Sequence, residues 1–236
     1  MDIIFNRQLH RLYTLWLKSP KGRIIDLILK EVIADIFFNI PNCRLLEIGC
    51  GTGLHMKVLK EMGLEVWGVD ASPYMIKEAR KVIGSESVLR LADAYRLPFF
   101  DNEFDGALFI NTLEFLNSPQ VAIREAARVS KRYIFILAVN GLSLSYLYQK
   151  FHSIFFKDIF SYIRNINRWN LLYFIRQSLG DVPISWYGKG VESSWKNFLI
   201  LLVHHRASDI KKKMEFEMKI RRTFGVADAA TRSMEI

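Results

Sequence analysis

Apolar-rich runs of strand length recur along the first 140 positions, at 44–48, 65–70, 88–92, 104–110 and 133–139. Between them the period changes: 54–62, 73–82 and 119–129 space their apolar residues three and four apart, which predicts helices with one covered face. Strands buried on both faces read as nearly continuous apolar runs because helices cover each side. The alternation therefore predicts an α/β fold with a doubly wound, Rossmann-like sheet, mostly parallel. Pro73 and Pro119 suit first helical turns, where a missing N–H costs nothing, and Ser72 and Ser118 precede them as expected N-caps.

Beyond position 142 the alternation stops. Residues 142–178 are apolar and aromatic with few breakers, and they read as a helical insertion after the fifth strand. Within it Leu144, Leu147, Phe151, Ile154, Phe155 and Ile159 follow helical spacing, while Lys150, Lys157, Arg164 and Arg168 fall on one other face. Runs at 182–187 and 197–204 predict a closing antiparallel pair around Gly188 and Gly190, so the last strand is expected to run antiparallel. The expected organisation is one domain over 1–207, with a helical cover at 1–40, and a charged tail over 208–236.

Composition narrows the setting. The chain has 236 residues, half of them hydrophobic, which supplies a full core and excludes wholesale disorder. Only two cysteines occur, Cys43 and Cys50, too few for a disulfide framework, so a reducing cytoplasm is expected. No apolar run is long enough to cross a bilayer, and the acid at Asp2 argues against a secretory signal. The formal charge of +9 leaves nucleic acid, anionic lipid and acidic substrates open. No His, Cys, Asp or Glu cluster has metal-ligand spacing, so no metal is expected.

The chemistry concentrates at 45–53, L-L-E-I-G-C-G-T-G, and at 66–72, V-W-G-V-D-A-S. The first is a strand breaking into a glycine turn, and the second is a strand tipped by Asp70. Such a pair suits a ribose-bearing cofactor: the glycines let a ligand approach the backbone, and the acid accepts bonds from ribose hydroxyls. The spacing of Gly49, Gly51 and Gly53 is G-x-G-x-G, and Leu54 stands where a dinucleotide fingerprint needs its third glycine. Glu47 would repel a pyrophosphate but suits a cationic ligand.

These motifs, with A-D-A-Y-R-L-P-F at 92–99 and F-D-G-A-L-F-I-N-T-L-E-F at 104–115, resemble the class I S-adenosylmethionine-dependent methyltransferases, in particular the methyltransferase type 11 group that includes ubiquinone and menaquinone C-methyltransferases. The resemblance implies that Glu47 and the turn Gly49, Cys50, Gly51 and Gly53 hold the methionine part of S-adenosylmethionine. It implies ribose contacts at Asp70, adenine contacts at Ser72, Met75, Asp93 and Ala94, an amino-group contact at Asn111, and a place for Ala71 among the cofactor-binding residues. Residues 13–23, Y-T-L-W-L-K-S-P-K-G-R, resemble the family's helix over the cofactor, which brings in Tyr13 and Trp16, although Thr14 replaces the usual acid. S-adenosylhomocysteine would be the product.

Methyl transfer from a sulfonium relies on alignment, and a base is needed only where the acceptor must lose a proton. His55, Glu114, Asn140 and His152 are the candidates near strand tips, and no catalytic residue is singled out. Enzymes that methylate nucleic-acid bases resemble one another in a D/N-P-P-Y motif where this chain has I-N-T-L-E-F. The leading expectation is methylation of a small apolar or aromatic metabolite, with Tyr146, Phe151, Phe155, Phe156, Tyr162 and Trp169 as pocket candidates. Two alternatives stand beside it: a methyltransferase acting on RNA or at an anionic membrane surface, and a cofactor-binding regulatory module without chemistry. Oligomeric state is not legible.

Overall fold

The structure, a computed structural model, describes residues 3–38, 43–84, 89–156, 158–187 and 198–205. Two helices, α1 (Arg7–Lys18) and α2 (Pro20–Phe37), precede β1 (Arg44–Ile48), α3 (Leu54–Glu61), β2 (Glu65–Asp70), α4 (Pro73–Ile83), β3 (Leu89–Leu91) and β4 (Phe104–Ile110). After a short 3-10 turn at Leu113–Phe115 come α5 (Pro119–Val129), β5 (Ser130–Val139), α6 (Leu144–Phe155), a second 3-10 turn at Ile159–Ser161, α7 (Arg168–Leu179), β6 (Ile184–Tyr187) and β7 (Phe198–His204). The strands form one sheet in the order β3-β2-β1-β4-β5-β7-β6. Its first five strands pair in parallel, and β7 lies antiparallel to both β5 and β6. The expected doubly wound sheet with an antiparallel last strand is what the chain forms.

Helices cover both faces. On one, Leu46, Ile48, Phe104, Phe109 and Ile136 pack with Ala122, Ile123, Ala126, Leu171 and Ile175 of α5 and α7. On the other, Leu45, Leu108, Phe135 and Ile200 meet Leu29, Val32, Ile33, Ile36, Met56 and Leu59 of α2 and α3. The chain leaves β1 toward β2 on one side while β4 sits on the other, so strand order reverses between β1 and β4. In such sheets a crevice opens at the carboxyl ends of the strands flanking that reversal.

Four expectations are corrected. The cover at 13–23 is not one helix, because Ser19 ends α1, donating from N and Oγ to the Trp16 carbonyl, and starts α2, its Oγ accepting from Gly22 N. Pro20, lacking an N–H, fits the first position of the new helix. Ser118 makes no capping bond with its side chain; its backbone N–H donates to Tyr95 Oη instead. The stretch 142–178 is two helices, of which α7 packs with α5 on the sheet, so only α6 and the turn at Ile159–Ser161 extend from the fifth strand's tip.

The fourth correction concerns charge and exposure on that stretch. Lys150 bends inward to donate to the carbonyls of Phe160, Ser161 and Ile163, Arg164 donates to the Leu116 carbonyl, and Arg168 lies over the Trp186 ring. They sit on different elements and form no stripe. Leu144, Leu147, Phe151, Ile154 and Phe155, which helical spacing would bury, are exposed, and α6 buries Tyr146 and Ser153. Lys157, Gly188, Gly190 and the tail from 208 lie outside the described residues.

Candidate functional site

At the β1/β4 crevice lies a cavity of about 410 Å³, a size suited to a small ligand. Its floor is the turn after β1. Gly49 and Cys50 both donate backbone N–H groups to the Val69 carbonyl, at 2.8 and 2.9 Å, and this folds the turn against the end of β2. Gly49 has φ of +74° and a Cβ there would stand 2.3 Å from Thr112 Cγ2, so only glycine fits. Gly51 has φ of +53°, and the space a Cβ would enter is open for 4 Å. The turn therefore presents bare backbone to the cavity.

Asp70 closes the turn from the side. Its Oδ2 accepts from Gly51 N at 2.9 Å and its Oδ1 from Ser72 N at 2.8 Å, which locks the carboxylate at the strand tip. Burial raises its pKa, the two N–H groups oppose that, and nearby Glu47 adds to it. Each oxygen keeps a further lone pair for hydroxyl donors.

The cavity wall includes Tyr13, Gly49, Cys50, Gly51, Asp70, Ala71, Met75, Asp93, Ala94 and Asn111. Glu47, Gly53 and Ser72 are off it. Glu47 is fully buried beneath the turn with Oε1 3.4 Å from His55 Nδ1, and its Oε2 has no partner among the described residues. Burial raises its pKa against the pull of His55 and the Met56 backbone. Gly53 packs against Ile83. Ser72 caps α4 by accepting from Met75 N and donates to the Phe5 carbonyl, so it holds the N-terminal segment over the site. Burial likewise lifts the Cys50 thiol well above its ordinary range, which keeps it protonated and unreactive.

Asn111, just past β4, adopts φ of +50°, donates its N–H to the Leu137 carbonyl and lines the cavity, and its buried Oδ1 has no partner among the described residues. Asp93 spends Oδ1 on Tyr95 N in a tight turn.

The far end of the cavity is aromatic. Tyr13 and Trp16 of α1 stack at 6.2 Å, Trp16 meets Phe160 edge-on at 5.9 Å, and Tyr146 and Phe115 complete the wall. Of the expected aromatic pocket residues in 142–178 only Tyr146 lines this cavity; the periodicity could not reveal which face of α6 turns inward. Among the candidate bases, His55 and Glu114 line it, and Asn140 and His152 do not. Sequence reasoning missed Ile3, Ile4 and Phe5, which close the cavity ahead of α1, and Phe160. The apolar run at 3–5 was the available signal.

Glu114 stands out at this end. It is wholly buried; Oε1 accepts from Val139 N at 2.5 Å and Oε2 has no partner among the described residues. Burial pushes its pKa up to about 7, against the N–H groups of Val139 and of Glu114 itself.

Comparison with known proteins agrees with this geometry. Residues 46–136 match the family model described as a methyltransferase domain, the segment that carries the turn, Asp70, Asp93 and Asn111. An uncharacterized protein of Methanocaldococcus jannaschii is 40% identical over 107 residues, 45% of this chain and 49% of that protein. A demethylmenaquinone methyltransferase of Renibacterium salmoninarum is 30% identical over 102 residues, 43% of each. The chain spans less than half the length of these relatives. Among solved structures, a SAM-dependent methyltransferase from Archaeoglobus fulgidus superposes with a TM-score of 0.61 at 18% identity, over 81% of this chain and 99% of that one. The magnesium protoporphyrin IX methyltransferase of Synechocystis, crystallised with bound SAH, gives 0.58 at 16%, over 87% and 90%. These likenesses establish the fold, and the resemblance read from the motifs holds over 46–136.

Proposed function

We propose that the chain is an S-adenosylmethionine-dependent methyltransferase acting on a small acceptor with an apolar or aromatic body. The observation that carries this is the pair of strand ends at the β1/β4 crevice: an open glycine turn hydrogen-bonded to a half-buried carboxylate. The site fits the donor. Gly51 leaves room for a ligand against the backbone, Asn111 Oδ1 is a buried acceptor suited to an amino group, and no Lys or Arg lines the cavity among the described residues, as a cationic ligand requires. Asp70 and Ala71 would hold the ribose, Met75, Asp93 and Ala94 the adenine, and the turn at 49–53 with Asn111 the methionine end. Glu47 acts from below as buried negative charge.

When bound, the donor supplies an electrophilic methyl group on sulfur. The chain contributes orientation: Tyr13 and Trp16 press from α1, Ser72 ties down the segment ahead of it, and the aromatic end excludes water from the acceptor's side. Relatives named demethylmenaquinone methyltransferase, malonyl-[acyl-carrier protein] O-methyltransferase and norajmaline N-methyltransferase each align with 37–43% of the chain, so that likeness alone does not select the acceptor. The test is a thermal-shift comparison of S-adenosylhomocysteine with NAD, followed by product detection on a panel of lipophilic acceptors. Stabilisation by the first alone is expected; stabilisation by NAD alone refutes the reading.

A second reading places the enzyme on an anionic membrane. The outer face of α6 exposes Leu144, Tyr148, Phe151, Ile154 and Phe155, an apolar surface larger than scattered exposed residues produce. Residues 3–25 and 126–157 contain no Asp or Glu, while Arg7, Arg11 and Lys18 lie on α1 and Lys21 and Arg23 at the start of α2. Lys21 Nζ stands 5.1 Å from the Tyr148 ring, which joins the cationic helices to that face. An apolar face beside the cations of α1 and of the start of α2 fits an anionic leaflet. Sedimentation of the full chain with phosphatidylglycerol vesicles, but not phosphatidylcholine vesicles, is expected, with loss in Phe151→Asp/Phe155→Asp; a concentration-dependent dimer abolished by the same changes, without vesicle binding, contradicts it.

A further inference from the structure

The charge of the cavity is opposite to the charge of the chain. Against a formal +9 overall, the cavity is lined by Asp70, Asp93 and Glu114, with Glu47 buried just below it, and by no Lys or Arg among the described residues. In the donor reading Asp70 and Asp93 face the ribose and adenine, and Glu47 lies under the glycine turn. Glu114 is left over, at the acceptor end.

Its surroundings are selective. One oxygen is committed to Val139 N at the end of β5, and the other has no partner there. Tyr146 on α6 is a titratable group facing it, and Glu114 helps to raise the Tyr146 pKa; among the described residues no cation offsets the carboxylate. Tyr13, Trp16, Phe115 and Phe160 line the same cavity and pack in one cluster with Tyr146 and Val139. Aromatic faces attract a desolvated organic cation, and a buried carboxylate without a counter-ion demands one or stays protonated. An anionic acceptor would meet like charge in a dry pocket and find no basic side chain there to neutralise it.

Resting on the donor reading above, we infer that the aromatic end of the cavity with Glu114 is an acceptor subsite for a small amine and that it excludes carboxylates and phosphates. The amine enters as its ammonium ion and is held by the free Oε2. One N–H bond breaks and its proton passes to that oxygen, leaving a neutral amine with a free lone pair and a neutral carboxyl group. Proton and charge balance between the two groups, with no further reactant. A carboxyl group whose pKa burial has brought near neutrality can both hold the ammonium and receive its proton.

Titration calorimetry on the full chain saturated with S-adenosylhomocysteine tests this, with 2-phenylethylamine, 2-phenylethanol and 3-phenylpropionate as matched probes. The amine is expected to bind at least about ten-fold more tightly than the acid, a difference of about 1.4 kcal/mol. Glu114→Gln, which can keep the bond from Val139 N, is expected to retain S-adenosylhomocysteine affinity and lose the preference, and Phe160→Leu to weaken the amine alone. Equal or tighter binding of the acid, binding of no probe, or a preference unchanged in Glu114→Gln overturns the inference while leaving the donor reading intact. Failure of S-adenosylhomocysteine to bind at all removes both.

Discussion

Single residues at the two ends of the cavity do different work, and the difference is one of solvation. Asp70 is half-buried and meets two backbone N–H groups, so it remains a usable acceptor at a fixed place. Glu114 is buried with one such bond from Val139, and its pKa stands about 7 against an ordinary 4.5. Since the folded state binds this proton more tightly than the unfolded chain, the stabilisation is complete below the unfolded value and is lost as pH rises toward 7. Relative to Glu114→Gln, the parent chain is expected to lose up to about 3 kcal/mol between pH 4.5 and pH 8, read from denaturant midpoints in the two proteins. A pH-independent difference between them would refute the assignment. Residue identity made Asp70 legible, because an acid at a strand tip after a glycine turn has few other uses. Glu114 was visible only as one of several candidates, since its burial depends on where β5 ends.

At the scale of elements, boundaries set by local chemistry were readable and orientations were not. Helices α3, α4 and α5 begin where Leu54, Pro73 and Pro119 indicate. The inward face of α6 was misread because its apolar positions outnumber what the core can take, and the buried ones are Tyr146 and Ser153. The break between α1 and α2 was missed because one residue, Ser19, serves as the end of one helix and the cap of the next. That double role gives a test. Ser19→Ala removes a bond from Gly22 N and one to the Trp16 carbonyl, and it is expected to cost about 1–2 kcal/mol in chemical denaturation. Because α1 carries Tyr13 and Trp16 onto the cavity wall, the same change is expected to weaken donor binding. Unchanged stability and binding would show that α1 is held by its other packing alone.

For the molecule as a whole, the parallel strands and the reversal of their order follow from connectivity, which the alternating runs expressed directly. The placement of β7 between β5 and β6 depends on long-range pairing of short apolar runs, and the sequence indicated only its antiparallel sense. The pocket's far wall is assembled from residues 3–5, α1, α6 and the turn at Ile159–Ser161, elements distant in sequence that no local pattern links. Hence the end of the cavity at the glycine turn and Asp70 was legible and the aromatic end was not. The central claim, that the glycine turn and Asp70 together clasp the methyl donor, is tested most directly by titration calorimetry of S-adenosylhomocysteine into the full chain and into Asp70→Ala. One saturable site in the parent, weakened at least about ten-fold in the variant, is the predicted result; absence of binding, or equal affinity in both proteins, would contradict the account.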